Sequence, residues 1–155
     1  MADIRSYADY LARVRIPIRL SYRTESGWPS VLSLWFIYRD GLIYCATQDD
    51  ARIVKYLENE PRCGFEIAGD LPPYCGIRGQ ARARVDREQG AEILEGLLIR
   101  YLNGVENPLA KKLLAQADRE VALVLDPVNC FSWDFTQRME SVLPDMLGLT
   151  NKVCP

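Results

Sequence analysis

The N-terminal residues carry apolar side chains at helical spacing. These positions recur three or four residues apart and are Ile4, Tyr7, Ala8 and Leu11. The spacing predicts an amphipathic helix from residue 3 to about residue 15. The helix should end before Pro17, because the residue before a proline avoids the helical conformation.

The next part of the chain has the pattern of a β-meander. Apolar, β-branched and aromatic residues fill three runs, residues 18–24, 28–39 and 42–47. A turn at residues 25–27 joins the first two runs, and the Asp40-Gly41 dipeptide is a strong hairpin signal before the third. We therefore expect three antiparallel strands, followed by a helix over residues 50–60 that ends at Pro61.

Alternation of side-chain type marks the middle of the chain. Residues 62–69 have the pattern of a fourth strand, which leads into a turn-forming cluster at residues 69–73. In residues 74–85 the small and apolar side chains share one face: Cys75, Ile77, Gly79, Ala81, Ala83 and Val85. The opposite face carries Arg78, Gln80, Arg82 and Arg84. A long, half-buried strand explains this pattern.

Helical spacing returns after residue 90. An apolar stripe is formed by Ile93, Leu94, Leu97, Leu98, Tyr101 and Leu102. Asn107 and Pro108 supply an N-cap and a first-turn proline for a second helix, ending near Ala117. Two strands, residues 120–126 and 128–135, should follow, the second with Asn129, Phe131, Trp133 and Phe135 on one face. From Thr136 onward no pattern predicts structure.

This order of elements predicts a mainly β fold, a closed or split β-barrel with peripheral helices. The chain has 155 residues, of which 48% are hydrophobic, and it contains no repeat or linker. Half of this length would be too short for a secure core. We therefore expect a single domain over residues 1–155.

Charge and composition exclude several function classes. A net charge of -2 argues against a nucleic-acid partner, since phosphate backbones are bound by clustered positive charge. The chain has no histidine, which excludes Ser-His-Asp and Cys-His catalysis and removes the usual metal and haem ligand. Phosphate-loop, nucleophile-elbow and dinucleotide motifs are also absent. No metal site is expected, and catalysis would depend on an organic cofactor.

The cysteines suggest a reducing compartment. There are five, an odd number, without any C-x-x-C pair: Cys45, Cys63, Cys75, Cys130 and Cys154. This pattern favours reduced thiols over a disulfide framework or a zinc site, and Cys45 and Cys75 should act as small hydrophobic residues. The sequence has neither a signal peptide nor an apolar run of membrane-spanning length. A soluble, cytoplasmic protein without a membrane partner is expected.

A series of short signals follows a characteristic order. It consists of a Gly-x-Pro strand, a Trp-Phe pair, an Asp-Gly hairpin, a strand ending in Thr, a basic helix closing in Asn-x-Pro, and a Tyr-x-x-x-x-Gly strand. The residues are Gly27, Pro29, Trp35, Phe36, Asp40, Gly41, Thr47, Arg52, Lys55, Asn59, Pro61, Tyr74 and Gly79. Together they resemble the pyridoxamine 5′-phosphate oxidase-related, FMN-binding split-barrel superfamily.

The resemblance implies a homodimer with flavin mononucleotide (FMN) in the groove between two barrels. Thr47, Arg52 and Lys55 would hold its phosphate, because a hydroxyl and two cations suit a dianion. The isoalloxazine ring would lie beside the strand containing Leu32, Ser33, Leu34 and Trp35. The resemblance also suggests that Trp133 supplies an aromatic side chain across the dimer interface, and Gln80 could reach the flavin as well.

Each of these residues also has a plainer interpretation. Arg52 and Lys55 could be solvated helix residues, and Thr47 could cap the helix. Trp35 and Trp133 could be ordinary core or interface aromatics. The basic strand face could be solvated or could bind a second anion, such as a substrate phosphate or the tail of deazaflavin F420; its residues are Arg78, Arg82 and Arg84.

The expected function is an FMN-dependent oxidoreductase that acts on a small molecule, with no catalytic side chain assigned. Two alternatives stay open: a flavin-binding or redox-sensing module without turnover, and a reductase that uses F420. Vitamin-B6 oxidation is not expected. The Arg-x-His-x-Arg motif of that activity is missing, and only Arg138 is present in the corresponding segment.

Overall fold

The computed structural model describes residues 2–140 and 154–155. The strands are β1 (Ile18–Arg23), β2 (Pro29–Leu34), β3 (Ile37–Arg39), β4 (Leu42–Gln48), β5 (Arg62–Ala68), β6 (Cys75–Asp86) and β7 (Glu120–Asp134). The α-helices are α1 (Ala8–Arg13), α2 (Arg52–Asn59), α3 (Gly90–Leu102), α4 (Pro108–Leu114) and α5 (Thr136–Glu140). Short 3₁₀ helices span Ile4–Tyr7 and Ala117–Arg119.

The seven strands form one antiparallel sheet that curls into a barrel. The strand order is β2-β1-β5-β6-β7-β4-β3, so consecutive strands β2 and β3 lie at opposite edges. Laid flat, these edges would be about 29 Å apart at normal strand spacing. Only Trp35 and Phe36 join them, and such a link reaches about 11 Å at most. The sheet must therefore close on itself.

Inward-facing side chains, which alternate with outward-facing ones along each strand, fill the barrel interior. In β6, Ile77, Ala81 and Ala83 are buried and the arginines between them are exposed. The inward residues of β1, β4, β5 and β7 join the same core. Gly79 lies where a Cβ atom would be 2.8 Å from the Phe65 ring and 2.2 Å from the Asn129 carbonyl oxygen, so only glycine fits there.

The helices cover different parts of the barrel. The buried residues of α2, Ile53, Val54 and Leu57, belong to the interior core. In contrast, α3 packs on the outer face of β4 and β7, with Ile93 and Leu97 against neighbouring strand residues. The predicted cap of α4 is confirmed, since the Asn107 side chain accepts a 2.8 Å hydrogen bond from the Ala110 amide.

Three predicted boundaries were wrong. The N-terminal helix is shorter than residues 3–15, because its first turn is 3₁₀. The predicted strand 28–39 breaks at residues 35–36, where the chain crosses between the two sheet edges. The two predicted C-terminal strands are one strand, β7. A register shift in β7 leaves Val128 unpaired, and this bulge allows Pro127 to lie within the strand.

The expectation of reduced cysteines without disulfides was wrong for one pair. Cys75 and Cys154 form a disulfide, with Cα atoms 5.6 Å apart and a separation of 79 positions along the chain. Spacing along the sequence cannot reveal partners this distant. Cys45, Cys63 and Cys130 are free and buried, and burial raises the pKa of each thiol, to about 11 for Cys63 and Cys130.

Candidate functional site

The barrel wall is incomplete between β2 and β4. Strand β3 pairs with residues 42–44 of β4, so residues 45–48 pair with β7 on one side only. Strand β2 likewise pairs with β1 alone. Within the described residues, the backbone groups on these two edges have no strand partner. Apart from the Gln48 carbonyl, which accepts a 3.0 Å hydrogen bond from the Ala51 amide, the outward groups of these edges can form hydrogen bonds with a ligand.

A cleft of about 370 Å³ opens at this gap, and we call it the split cleft. Its strand residues are Ser33, Leu34, Trp35, Ala46, Thr47 and Gln48. Leucines from α3 and α4 line the outer wall: Leu94, Leu97 and Leu113. Apolar walls with a few hydroxyls, amides and free backbone groups are typical of small-molecule sites.

Packing fixes the position of Trp35 in this cleft. Its ring stacks on Tyr101, with centroids 5.0 Å apart and planes inclined by 6°. The Tyr101 hydroxyl donates a 3.0 Å hydrogen bond to the Ile16 carbonyl and accepts one from the Phe36 amide. Burial is the main cause of the raised pKa of Tyr101. Trp35 thus combines a packing role with a place in the cleft.

Glu120 also lines the split cleft, although it was not among the predicted site residues. Among the described residues it is the one charged side chain classed as buried, with 9% exposure. Burial, and secondarily the nearby charge of Asp49, raise its pKa. The available signal was an acidic residue at the start of an otherwise apolar strand. This carboxyl group can hold a proton at the cleft wall more readily than an exposed one.

The segment between β4 and α2 contains two acids that are tied to a neighbouring arginine. Arg119 forms ion pairs with Asp49 at 3.4 Å and Asp50 at 2.6 Å. These contacts are solvent-exposed and worth little as stability, but they compensate negative charge beside the helix start. The hydrogen bond with Asp50 is the main cause of the raised pKa of Arg119.

The first turn of α2 has no side-chain cap. The N-cap residue is Ala51, so the alternative interpretation of Thr47 as the helix cap was wrong. The Arg52 side chain is exposed and makes no ion pair with a described residue. Lys55 is also exposed and forms a 3.3 Å ion pair with Glu25. An uncapped helix start followed by a free arginine is an environment that favours an anion.

The predicted site residues fall into separate groups. Ser33, Leu34, Trp35 and Thr47 come together in the split cleft, whereas Leu32 packs against the interior core. Arg52 and Lys55 lie on α2, after the end of β4. Gln80 and Trp133 lie on the outer face of β6 and β7, outside the cleft lining.

Gln80 and Trp133 each have a neighbour on that outer face. The Gln80 side chain accepts a 2.6 Å hydrogen bond from Asn129, and the Arg78 guanidinium lies 5.4 Å from the Trp133 ring centroid. Strand β6 is three places from β2 and two places from β4 in the sheet order. A ligand in the split cleft would therefore meet these side chains only if another chain supplied them.

Residues 2–140 and 154–155 contain no cluster of His, Cys, Asp or Glu suited to a metal ion. In the same residues, no helix is both long and apolar enough to cross a membrane.

Neither a family model nor a curated protein matches the sequence. Solved structures do share its architecture. A conserved hypothetical protein from Mycobacterium tuberculosis superposes with a TM-score of 0.73 at 20% identity, over 98% of this chain and 95% of that chain. A candidate pyridoxamine 5′-phosphate oxidase from Listeria innocua matches with a TM-score of 0.62 at 13% identity, over 83% and 95%. The chain has the pyridoxamine 5′-phosphate oxidase-like split-barrel fold.

A third split-barrel structure is described as an F420 reductase. It matches with a TM-score of 0.66 at 15% identity, over 79% of this chain and 94% of that chain. The expected mainly β split barrel is thus confirmed. Identities this low establish the fold alone, so the function has to be argued from the residues of the split cleft.

Proposed function

We propose that this split-barrel protein is an FMN-binding oxidoreductase that holds its flavin between two copies of the chain. The observation that supports this most strongly is the composition of the split cleft. It has unpaired strand edges along its length, and Thr47 near the end where α2 follows.

The phosphate of FMN would lie at the Thr47 end of the cleft. Thr47 offers a hydroxyl donor, and the first-turn amides of α2 have no side-chain cap. Arg52 is free of carboxylate partners in the described residues, and Arg119 compensates the nearby aspartates. Lys55 would have to exchange its contact with Glu25, a change with little cost for an exposed ion pair.

The flavin ring would lie farther along the cleft. Its polar edge needs hydrogen-bond donors and acceptors, which the free edge of β2 near Ser33 can supply. Its dimethylbenzene side suits the apolar wall formed by Leu94, Leu97 and Leu113. Bound FMN would supply hydride and electron transfer, while these residues bind it, orient it and exclude water.

A second copy would complete this site. Gln80 and Trp133 lie on a sheet face that also exposes large apolar side chains, among them Val31 at 64%, Val128 at 60% and Phe131 at 49%. Exposed apolar side chains grouped on one face are typical of protein interfaces. Packing this face on a second barrel would bury them and bring Gln80 and Trp133 to the partner's cleft.

The visible spectrum of freshly purified protein tests the cofactor. Yellow protein that releases FMN on denaturation supports the proposal, whereas colourless protein that fails to bind added FMN contradicts it. The match to a structure described as an F420 reductase makes F420 the second candidate cofactor. Competition between FMN and F420, with mass analysis of the bound species, decides between them.

A matched pair of double variants tests the phosphate site. Arg52→Ala with Lys55→Ala should weaken FMN binding by about 3 kcal/mol, because charge-assisted hydrogen bonds are worth about 1.5–3 kcal/mol each. Arg13→Ala with Lys112→Ala removes the same charge outside α2 and the cleft lining and should have little effect. Flavin fluorescence quenching measures both. An unchanged dissociation constant in the first variant would remove Arg52 and Lys55 from the site.

Two further measurements test assembly and turnover. Light scattering should give the mass of a dimer, and a stable monomer that binds FMN would contradict a shared groove. Reduction of the bound flavin by a nicotinamide donor, followed by transfer to a small acceptor, would support an enzyme. Binding without such transfer would favour a flavin-binding module.

A further inference from the structure

One carboxyl group in the split cleft has no partner. The Glu120 side chain is 9% exposed and lines the cleft wall. It forms no hydrogen bond or ion pair with a described residue. Gln48 is directly opposite it on β4, but donates its side-chain amide to Gln116 at 2.9 Å instead. Because buried polar groups are normally hydrogen-bonded, a bound ligand is the natural partner for this carboxyl group.

The groups around Glu120 do not compensate a negative charge. Every other described residue of the cleft lining is uncharged, including the leucines that α3 and α4 contribute. Burial raises the pKa of Glu120, and the negative charge of Asp49 raises it further. Arg119, the preceding residue, is already paired with Asp49 and Asp50. The ionised form of Glu120 is therefore disfavoured before any ligand binds.

Charged groups on the other elements that pack around the start of β7 have partners of their own. These ion pairs belong to β6, α3 and α4 and are Arg84–Asp86 at 2.6 Å, Arg39–Glu92 at 3.2 Å and Lys111–Glu106 at 3.2 Å. Within the described residues, none of these cations forms an ion pair with Glu120.

Glu120 lies at the end of the cleft to which the flavin phosphate is assigned. It is opposite Gln48 in the register of β4 and β7, and Thr47 precedes Gln48. Paired strands are about 4.8 Å apart, so Glu120 and Thr47 lie at the same end of the cleft. Their side chains point to opposite faces of the sheet, and both reach the cleft because β4 has a free edge there.

A phosphate group at this position changes the protonation of Glu120. Two negative charges in one desolvated site are unfavourable, so a phosphate raises the pKa of the carboxyl group still further. A protonated carboxyl group has an O–H donor, and its hydrogen bond to a phosphate oxygen is charge-assisted. Protonation therefore turns a repulsive contact into an attractive one.

We propose that Glu120 binds the flavin phosphate in its protonated form, by donating a hydrogen bond to a phosphate oxygen. The proton comes from the solvent when FMN binds and returns to the solvent when FMN leaves. This role rests on the proposed FMN site, where it adds a proton donor to Thr47, Arg52 and Lys55. At a pH where Glu120 is ionised in the free protein, FMN affinity falls with rising pH, by up to about tenfold per pH unit for one proton. Riboflavin has no phosphate and should not take up this proton.

Proton uptake can be counted by calorimetry. FMN is titrated in buffers of different ionisation enthalpy at several pH values between about 5 and 8, a range above the usual pKa of a glutamate. The unmodified protein should take up more protons than Glu120→Gln, by a difference that approaches one. The ionisation of the phosphate itself at about pH 6 contributes to both proteins and cancels in this difference. Riboflavin should show no such difference.

Affinity measured by flavin fluorescence quenching gives a second readout. Glu120→Gln keeps the shape of the side chain but cannot ionise. At about pH 8 it should bind FMN about tenfold more tightly than the unmodified protein, whereas at about pH 5 the two should bind alike. A gain in affinity cannot result from misfolding.

Asp118→Asn is the matched control. It removes one negative charge from an exposed residue outside the cleft lining and should leave FMN affinity unchanged at both pH values. A gain in the control equal to that of Glu120→Gln would indicate a general charge effect and overturn the proposal.

The outcomes separate this role of Glu120 from the flavin site itself. If FMN affinity depends on pH in the same way in Glu120→Gln and in the unmodified protein, Glu120 does not bind the phosphate, and the flavin site stands. If riboflavin takes up the same proton as FMN, the phosphate is not the group that Glu120 contacts, and the proposal is overturned. If neither flavin binds at any pH, the flavin site and the role of Glu120 both fail.

Discussion

Replacement of Gly90 by alanine should destabilise the protein, although alanine normally favours helices. Gly90 is the first residue of α3, where the helix meets β7. A Cβ atom there would be 1.9 Å from the Glu120 carbonyl oxygen and 2.6 Å from the Val121 nitrogen. Real Cβ atoms essentially never approach other atoms within 3.0 Å. Helix and strand must therefore separate by more than an ångström.

The loss of stability in Gly90→Ala depends on which element moves to relieve the clash. Strand β7 is hydrogen-bonded to β4 and β6, so α3 has to shift. Its buried residues Ile93 and Leu97 would lose part of their packing. Overpacking of this kind costs about 1–3 kcal/mol, and we expect the upper end of that range because the clash is with backbone. For a chain of this length, 3 kcal/mol lowers Tm by roughly 6–12 °C.

Gly96→Ala is the matched control in the same helix. A Cβ atom at Gly96 would meet only the flexible end of Ile37, at 2.7 Å, so helix propensity should nearly offset the contact. Urea denaturation followed by circular dichroism measures both variants. If Gly90→Ala is as stable as the unmodified protein, the close approach of α3 to β7 is wrong. The split cleft built on that approach would then also need revision, because α3 carries Leu94 and Leu97.

Three further predictions concern a carboxyl group, a disulfide and a helix cap. Glu120 has a raised pKa in the folded state, so its own contribution to stability should be lost as pH rises above about 4. The lowered pKa values of Asp3, Glu60 and Asp86 act in the opposite direction, so the difference in Tm between Glu120→Gln and the unmodified protein, measured against pH, isolates the Glu120 contribution. A Tm profile that Glu120→Gln leaves unchanged contradicts the burial of this carboxyl. Intact mass should rise by about 2 Da on reduction, and Cys154→Ser should lower the free energy of unfolding by about 2–4 kcal/mol, since the bond closes a long loop onto Cys75. No mass change would show that the disulfide is absent. Asn107→Ala should cost about 1 kcal/mol in urea denaturation through loss of the α4 cap, with Asn107→Asp retaining most of that stability.

The site was predictable from the sequence only in part. Thr47, Ser33, Leu34 and Trp35 were predicted from the sequence and lie together in the split cleft, while their role in binding a flavin stays a prediction. Glu120 was missed because its burial depends on α3, whose packing against β7 is not a local property. Gln80 and Trp133 were also identified, but their separation from the cleft follows from the strand order.

The sequence by itself determined the local elements of this protein. Three features depend only on neighbouring residues: the side-chain alternation along β6, the α4 cap, and the turn at Asp40 and Gly41. The two turn residues have positive φ angles of 55° and 86°. Their signals are therefore readable without the fold. Tertiary structure alone decided how distant segments meet: the break at residues 35–36 that closes the barrel, the bulge in β7, and the disulfide to Cys154. These features depend on pairings between residues far apart in the chain, which no local pattern records.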